Sequence, residues 1–220
     1  MAASGGRIFF PGNPWPAGHA LKTAKWTAEL GADGLRFHFD LESKNYYAED
    51  DREDDELDND WKARIAWGNY HRCRLSSTFW GHQGILVTKP GKPLDLEKLE
   101  GKTLRADRVV NKRLPETYER EELAFGLYLL GHDTACDHRI RFAKRRGPST
   151  YDIEWRGRIA LTYIGQTEPK YSFRVVLPRL SLSGIDFDKD LGTKAAKTLL
   201  PDVLTGSARY QLSRGRFVRK

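Results

Sequence analysis

Apolar and polar residues alternate with a period of two through most of this chain. In residues 35–41, Leu35, Phe37, Phe39 and Leu41 are apolar, and the three residues between them are polar. This alternation is typical of a β-strand with one buried face. Similar segments recur about every ten residues, separated by turns rich in glycine and proline. The pattern predicts a mostly β protein, an antiparallel β-sandwich or barrel-like unit of about ten strands.

One segment near the end of the chain has the spacing of a helix. Residues 193–204 place alanine and leucine at helical intervals behind Thr193, whose hydroxyl can cap the first turn. We therefore expect residues 1–220 to form a single all-β domain with a short C-terminal helix. If the chain had a domain boundary instead, the three prolines within residues 89–118 would favour that segment.

The positive charge of the chain is unevenly distributed. The net charge is +7, but residues 42–60 contain ten acidic and two basic side chains and carry −8, so the remainder carries +15. Residues 48–59 contain almost no apolar side chains, so we expect an acidic, mobile loop at about residues 43–60. A basic body can attract a polyanion, and an acidic insert can attract a basic partner.

Cysteine content and hydropathy bear on the compartment. The chain has two cysteines, and no apolar run approaches the length of about 20 residues that a membrane helix needs. The N-terminal residues lack the apolar stretch of a secretion signal. We therefore expect a cytoplasmic protein with reduced thiols and no membrane association. No nucleophile–base pair or nucleotide-binding motif is recognisable, so catalysis is the least supported class of function.

Each cysteine has a histidine two positions away, His71 before Cys73 and His138 after Cys136. Residues two apart on a strand share a face, so two neighbouring strands could assemble the two thiolates and two imidazoles of a tetrahedral zinc site. The alternatives are buried thiols beside surface histidines, or a disulfide between the two cysteines. The third functional hypothesis is a metal-dependent enzyme built on this set of two histidines and two cysteines.

A second candidate metal site lies near the predicted helix. Asp186, Asp188 and Asp190 place carboxylates at alternate positions, as calcium-binding loops do. The next glycine comes one place late, and Lys197 stands where such loops have a glutamate. We therefore favour a polar turn before the helix, with Asp190 near the positive end of the helix dipole. Beyond zinc or calcium, the sequence indicates no cofactor.

Three of the six tryptophans, Trp15, Trp61 and Trp80, fall in predicted loops or beside the acidic insert. Aromatic side chains on loops are common at protein-recognition surfaces. Together with Asp54 and Asp55 of the insert, they give the leading hypothesis, a non-catalytic, intracellular interaction module that binds a protein partner. The alternative for each tryptophan is that it covers one end of the sheet core.

Basic side chains are concentrated in a predicted hairpin of residues 139–158. Arg141, Lys144, Arg145 and Arg146 belong to it and should lie on one solvated face. Arginine-rich faces bind phosphate backbones. The second hypothesis is therefore a nucleic-acid-associated protein in which the acidic insert competes with the nucleic acid. The alternative is a solvated face that protects a sheet edge from aggregation.

Overall fold

The computed structural model of the protein describes residues 5–47, 61–68, 70–109 and 122–220. Strands hold 49 % of these residues and helical turns 14 %, which confirms the prediction of a mostly antiparallel β protein with a short C-terminal helix. The strands are β1 (Arg7–Phe9), β2 (His19–Gly31), β3 (Gly34–Ser43), β4 (Arg74–Ser76), β5 (Ile85–Thr88), β6 (Thr103–Ala106), β7 (Gly126–Tyr128), β8 (His132–Gly147), β9 (Thr150–Ala160), β10 (Tyr171–Phe187), β11 (Tyr210–Ser213) and β12 (Arg216–Arg219), and the α-helices are α1 (Arg64–Trp67) and α2 (Gly192–Val203).

The described strands form one sheet that closes on itself. Its order is β1-β2-β3-β4-β7-β8-β9-β10, and β10 pairs again with β1 and, in parallel, with β2. This closure gives the barrel-like form of the two predicted architectures. Strand β5 adds to β3, β6 adds to β8, and β12 connects β11 to β10. Among the described residues, no helix is both long and apolar enough to cross a membrane.

The interior of the closed sheet is packed with aromatic rings. Phe37 and Phe39 of β3 are fully buried, as their alternation predicts. The ring of Phe39 lies parallel to that of Trp26 on the neighbouring strand, with centroids 6.1 Å apart, and 5.5 Å from that of Trp155 on the opposite side of the ring of strands. Phe37 meets Trp26 edge to face at 5.1 Å. Such pairs stabilise the core beyond the area that they bury.

A β-bulge at Asp137 reverses the alternation along β8. Cys136 and Arg139 are three positions apart, yet they pair with Arg158 and Arg156, which are two positions apart on β9. Asp137 is the extra residue and has a positive φ of 48°. One inserted residue moves every later side chain to the other face of the sheet. From His138 to Phe142, even-numbered residues of β8 point into the core and odd-numbered residues point outward.

We expect Phe37→Ala to lower the free energy of unfolding by about 3–5 kcal/mol, because a fully buried ring is lost and its neighbours cannot close the cavity. Chemical denaturation measures this change. Ile65→Ala is the matched control, since Ile65 is 77 % exposed and its truncation should change the free energy by less than about 0.5 kcal/mol. Equal effects of the two substitutions would contradict the assignment of the inward face.

Candidate functional site

Four arginines stand directly opposite one another across four neighbouring strands. Arg105 of β6 pairs with Arg139 of β8, Arg139 pairs with Arg156 of β9, and Arg156 pairs with Arg174 of β10. Directly paired residues project from the same face of a sheet, and all four side chains are exposed. Neighbouring strands are about 4.8 Å apart, so this arginine row extends about 14 Å across the outer face.

The core beneath the arginine row is closely packed. Gly157 lies between Arg156 and Arg158, and a Cβ atom there would come within 2.4 Å of the Phe173 ring. The absence of a side chain lets Phe173 pack against His138 and Trp155 with centroids 5.9 and 6.1 Å away. Trp155 Nε1 donates a hydrogen bond of 3.2 Å to His138 Nδ1. The strands that carry the row are therefore fixed from below.

The carboxylates of the described residues compensate little of the charge of the arginine row. Within the described residues, Arg105, Arg156 and Arg174 form no ion pair, and Arg139 Nη2 lies 3.3 Å from the half-buried carboxylate of Asp137. The guanidinium of Arg174 lies over the Phe9 ring at 4.6 Å. Like charges directly opposite one another in a sheet are destabilising. The row therefore presents a positive surface whose internal repulsion an external anion can offset.

The hairpin tip is different, although the sequence predicted the basic site there. Arg145 is paired with Glu97, Arg146 Nε lies 2.8 Å from Asp152 Oδ2, and Arg141 Nη1 lies 3.6 Å from Glu154 Oε2. Of the four predicted residues, only Lys144 has no ion pair with a described residue. The predicted site thus lies next to the exposed arginine row but is itself largely neutralised.

Glu97 shows how strongly the tip is neutralised. Its carboxylate accepts hydrogen bonds from Arg145 and from Arg219 of β12. Partial burial alone would raise the pKa of Glu97, but the hydrogen bonds from Arg219 and Arg145 outweigh it and lower the pKa. The charges of Arg145 and Arg219 therefore hold a carboxylate of this chain in its ionised form.

Trp15 and Trp61 are buried, so the prediction that they form an exposed recognition surface is wrong. They are 6 % and 3 % exposed. Trp61 Nε1 donates to the Pro11 carbonyl at 3.0 Å, and the Trp61 ring stacks on Tyr171 at 4.0 Å. The Pro-rich segment before β2 folds back over the sheet, which draws both indoles inward. Six packed rings form what we call the aromatic end cluster: Trp15, Trp61, Phe10, His19, Tyr46 and Trp67.

Trp80 is the one predicted tryptophan that remains accessible. It is half-buried, and the adjacent Phe79 is 56 % exposed. Asp54 and Asp55, the acidic part of the predicted partner surface, lie outside the described residues. The structure therefore does not bring the three tryptophans together on one surface.

The bulge in β8 separates Cys136 from His138, two of the four residues of the predicted zinc set. Cys136 pairs with Arg158 and shares its outer face, whereas His138 after the bulge packs in the core. Cys73 is buried and His71 is exposed. Burial raises the pKa of Cys136 to about 12 and that of Cys73 still further, so both thiols are protonated at neutral pH. Both cysteines are free.

The described residues contain no group of three or more histidine, cysteine, aspartate or glutamate side chains that could hold a metal ion. This finding counts against the zinc set and also against the aspartates of the predicted calcium loop. Asp186 pairs with Arg216 Nη2 at 3.0 Å, and Asp188 Oδ1 accepts a hydrogen bond from the Asp190 backbone N–H at 3.0 Å. Asp186 thus belongs to β10, and Asp188 and Asp190 form the polar turn before α2.

Comparisons of the chain with protein-family models, with curated proteins and with solved structures found no match. A functional assignment therefore depends on the geometry of the chain itself. Sequence reasoning placed Arg139 and Arg156 in the basic hairpin, but it did not include Arg174. The signal was present in the alternation of residues 171–177, where Arg174 lies on the polar side of a strand.

His19 of the aromatic end cluster should make stability depend on pH. Burial, with a smaller effect of the Arg7 charge, lowers the pKa of His19 from 6.5 to about 4. The unfolded chain therefore takes up a proton at higher pH than the folded protein does. The free energy of unfolding should fall as the pH drops from about 6.5 to about 4, by up to about 3 kcal/mol from this residue.

Denaturation series across this pH range test the effect of His19. His19→Gln keeps an acceptor for Asn13 Nδ2, which lies 3.1 Å from His19 Nε2, and it should reduce the pH dependence. Part of it should remain, because burial also lowers the pKa of His38 to about 4. His71→Gln replaces an exposed histidine and is the matched control. A pH dependence that is unchanged in His19→Gln would show that the imidazole is not held neutral by burial.

Proposed function

We propose that the protein binds the phosphate backbone of a nucleic acid through the arginine row. The observation that carries this proposal is the register of Arg105, Arg139, Arg156 and Arg174, which places four exposed guanidinium groups side by side. Guanidinium groups match phosphate oxygens in geometry and bind them with charge-assisted hydrogen bonds. Each contact also releases counterions from the nucleic acid, which favours binding at low salt.

The length of the arginine row favours a polymer over a small anion. About 14 Å of positive surface on the outside of a sheet can contact several phosphates of one strand at once. Arg158, which is half-exposed and lies opposite Ser172, extends the surface along β9. Contacts of this kind position a nucleic acid without reading its bases. The expected binding is therefore largely independent of sequence.

The acidic segment supplies a competitor within the same chain. Residues 42–60 carry −8, and most of them lie outside the described residues. A negatively charged segment tethered to a basic surface competes with an external polyanion for that surface. We therefore infer that the acidic segment limits non-specific binding to nucleic acid.

A protein-binding role at Trp80 is the second candidate. Its support is the exposure of Phe79 beside Trp80, where the two rings meet edge to face at 4.8 Å. Large exposed aromatic side chains are common at protein-binding surfaces. The arginine row ranks first because it comprises four residues whose mutual repulsion requires an explanation.

The test compares two triple variants that remove the same charge. The row variant carries Arg105→Gln, Arg156→Gln and Arg174→Gln, which remove three of the four charges of the arginine row. Arg145→Gln, Arg146→Gln and Arg219→Gln together remove arginines that already pair with Glu97 and Asp152. Binding to a labelled single strand and a labelled duplex is measured by fluorescence anisotropy at several salt concentrations.

We expect the row variant to weaken binding and to reduce the slope of log affinity against log salt by about 2 to 3, because three phosphate contacts are lost. The control variant should reduce the slope by less than about 1. Equal losses in the two variants would mean that net charge alone drives binding. Wild-type binding that does not respond to salt would rule out phosphate contacts.

A further inference from the structure

A cavity of about 240 Å³ lies at the beginning of β2. It is lined by Arg7 of β1, by residues 15–20 and by residues 44–46. Its volume suits a small chemical group more than a whole metabolite. The described lining residues include no aspartate or glutamate, so the side chains that bring permanent charge to the lining, Arg7 and Lys44, are both positive.

The strand register places Arg7 and Lys44 on the same face of the sheet, with Ala20 between them. Arg7 pairs with Ala20, and the Lys44 backbone N–H donates to the Ala20 carbonyl at 2.8 Å. Lys44 thus continues the register of β2 and β3, in which Leu21 pairs with Ser43. The backbones at Arg7 and Lys44 are two strand spacings apart, or about 10 Å. The small side chain of Ala20 leaves room for a ligand between the two longer ones.

The guanidinium of Arg7 is held in place by part of its hydrogen-bonding capacity. Its Nε donates to the Ala17 carbonyl at 3.0 Å, and its Nη2 donates to the Gly18 carbonyl at 2.8 Å. A guanidinium has five N–H groups, so three remain that no described residue accepts. The two backbone carbonyls therefore fix the guanidinium without neutralising its charge, and they leave donors for a ligand.

The two cations of the cavity are not neutralised by the described residues. Neither Arg7 nor Lys44 forms an ion pair with them, and Glu42, two positions before Lys44, is engaged by three other basic side chains at 3.4, 3.5 and 3.6 Å. The charge of Arg7 acts on the cavity wall, where it adds to burial in lowering the pKa of His19 to about 4. His19 is therefore neutral at neutral pH, and the lining keeps a positive charge that an anion would offset.

We propose that this cavity binds a phosphate group in its doubly ionised, monoester form. A guanidinium matches phosphate oxygens in geometry, and the ammonium of Lys44 supplies a second positive charge from the other side. A phosphate monoester carries about −1.5 to −2 charges at pH 7, whereas a phosphodiester carries a single negative charge. Two cations on either side of a small cavity therefore favour the monoester.

The cavity lies beside the end of the arginine row. Phe9 pairs with Arg174, the last arginine of the row, and Arg7 lies two residues before Phe9 on the same face of β1. Diagonal neighbours of this kind are about 7–8 Å apart. The phosphate can therefore come from a small phosphate ester or from the end of a nucleic-acid strand bound along the row. The second source rests on the proposed function; the phosphate site itself does not, since it shares no residue with the row.

The first experiment titrates the full chain with methyl phosphate, and separately with dimethyl phosphate, a diester of similar shape with one charge fewer. Ligand-observed NMR at constant ionic strength and about pH 8, where the monoester is doubly ionised, measures both affinities. We expect saturable binding of methyl phosphate and at least about tenfold weaker binding of dimethyl phosphate, because the second charge interacts with both cations. Equal affinities, or no saturable binding of methyl phosphate, would overturn the proposal.

Two lysine variants locate the bound phosphate. Lys44→Gln removes one cation of the lining and should weaken methyl phosphate binding by about tenfold. Lys22→Gln is the matched control, because it removes the same charge from an exposed lysine that lies outside the lining and pairs with Glu42. It should leave the affinity unchanged. Indistinguishable affinities of the two variants would overturn the assignment of the site.

The second experiment distinguishes the two sources of the phosphate. Labelled single strands of one sequence carry a phosphate at the 5′ end, at the 3′ end or at neither end, and fluorescence anisotropy measures their binding. If the strand end occupies the cavity, one phosphorylated strand binds more tightly than the unphosphorylated strand, and Lys44→Gln removes this difference while Lys22→Gln keeps it. Equal affinities of the three strands, with methyl phosphate still bound, assign the cavity to a small phosphate ester.

The row variant separates this proposal from the proposed function. It should bind nucleic acid weakly but bind methyl phosphate as the wild type does, because Arg7 and Lys44 are unchanged. Methyl phosphate binding by a protein that does not bind nucleic acid would contradict the proposed function alone. Salt-dependent binding of nucleic acid without saturable binding of methyl phosphate would contradict the phosphate site alone.

Discussion

The closure of the sheet by β10 is the constraint on which the rest of the structure depends. The first half of β10 lies between β9 and β1, and its second half pairs with β2 and β12. Its pairing with β9 shifts register between Leu177 and Leu180, where Arg179 has a φ of 52° and its N–H donates to Asp152 Oδ1, and continues to Ser181. Closure removes most open edges and surrounds the aromatic core on all sides.

The bulge at Asp137 has the largest consequence for function. Without it, continued alternation from Ala135, which is fully buried, would turn Arg139 and Arg141 inward. With it, the Asp137 backbone N–H donates to the Asp107 carbonyl at 2.7 Å, which ties β8 to the end of β6. The same residue therefore brings Arg139 into line with Arg105 and Arg156, and it separates Cys136 from His138. One inserted residue creates the arginine row and removes the zinc set.

Local patterns predicted the parts of the fold that depend on local chemistry. Alternation identified the buried face of β3, and helical spacing identified α2. The sequence could not indicate which strands pair, because that choice depends on contacts between distant segments. It could not place Trp15 and Trp61 either, since their burial requires the segment before β2 to fold over the sheet end. A bulge of one residue has no clear signature in Cys136, Asp137 and His138, which would suit a regular strand equally well.

The basic residues of β8 and β9 have two different surroundings, only a few positions apart. At the hairpin tip, Arg145 and Arg146 are each paired with a carboxylate. Further along the same strands, Arg139 and Arg156 stand directly opposite each other, where repulsion destabilises the sheet. Carboxylates beside both arginines would reduce this repulsion, but among the described residues only Arg139 pairs with one, that of Asp137. The other three arginines of the row have no ion pair with a described residue, and the phosphates of the nucleic acid that we propose as the ligand would supply the compensating charge.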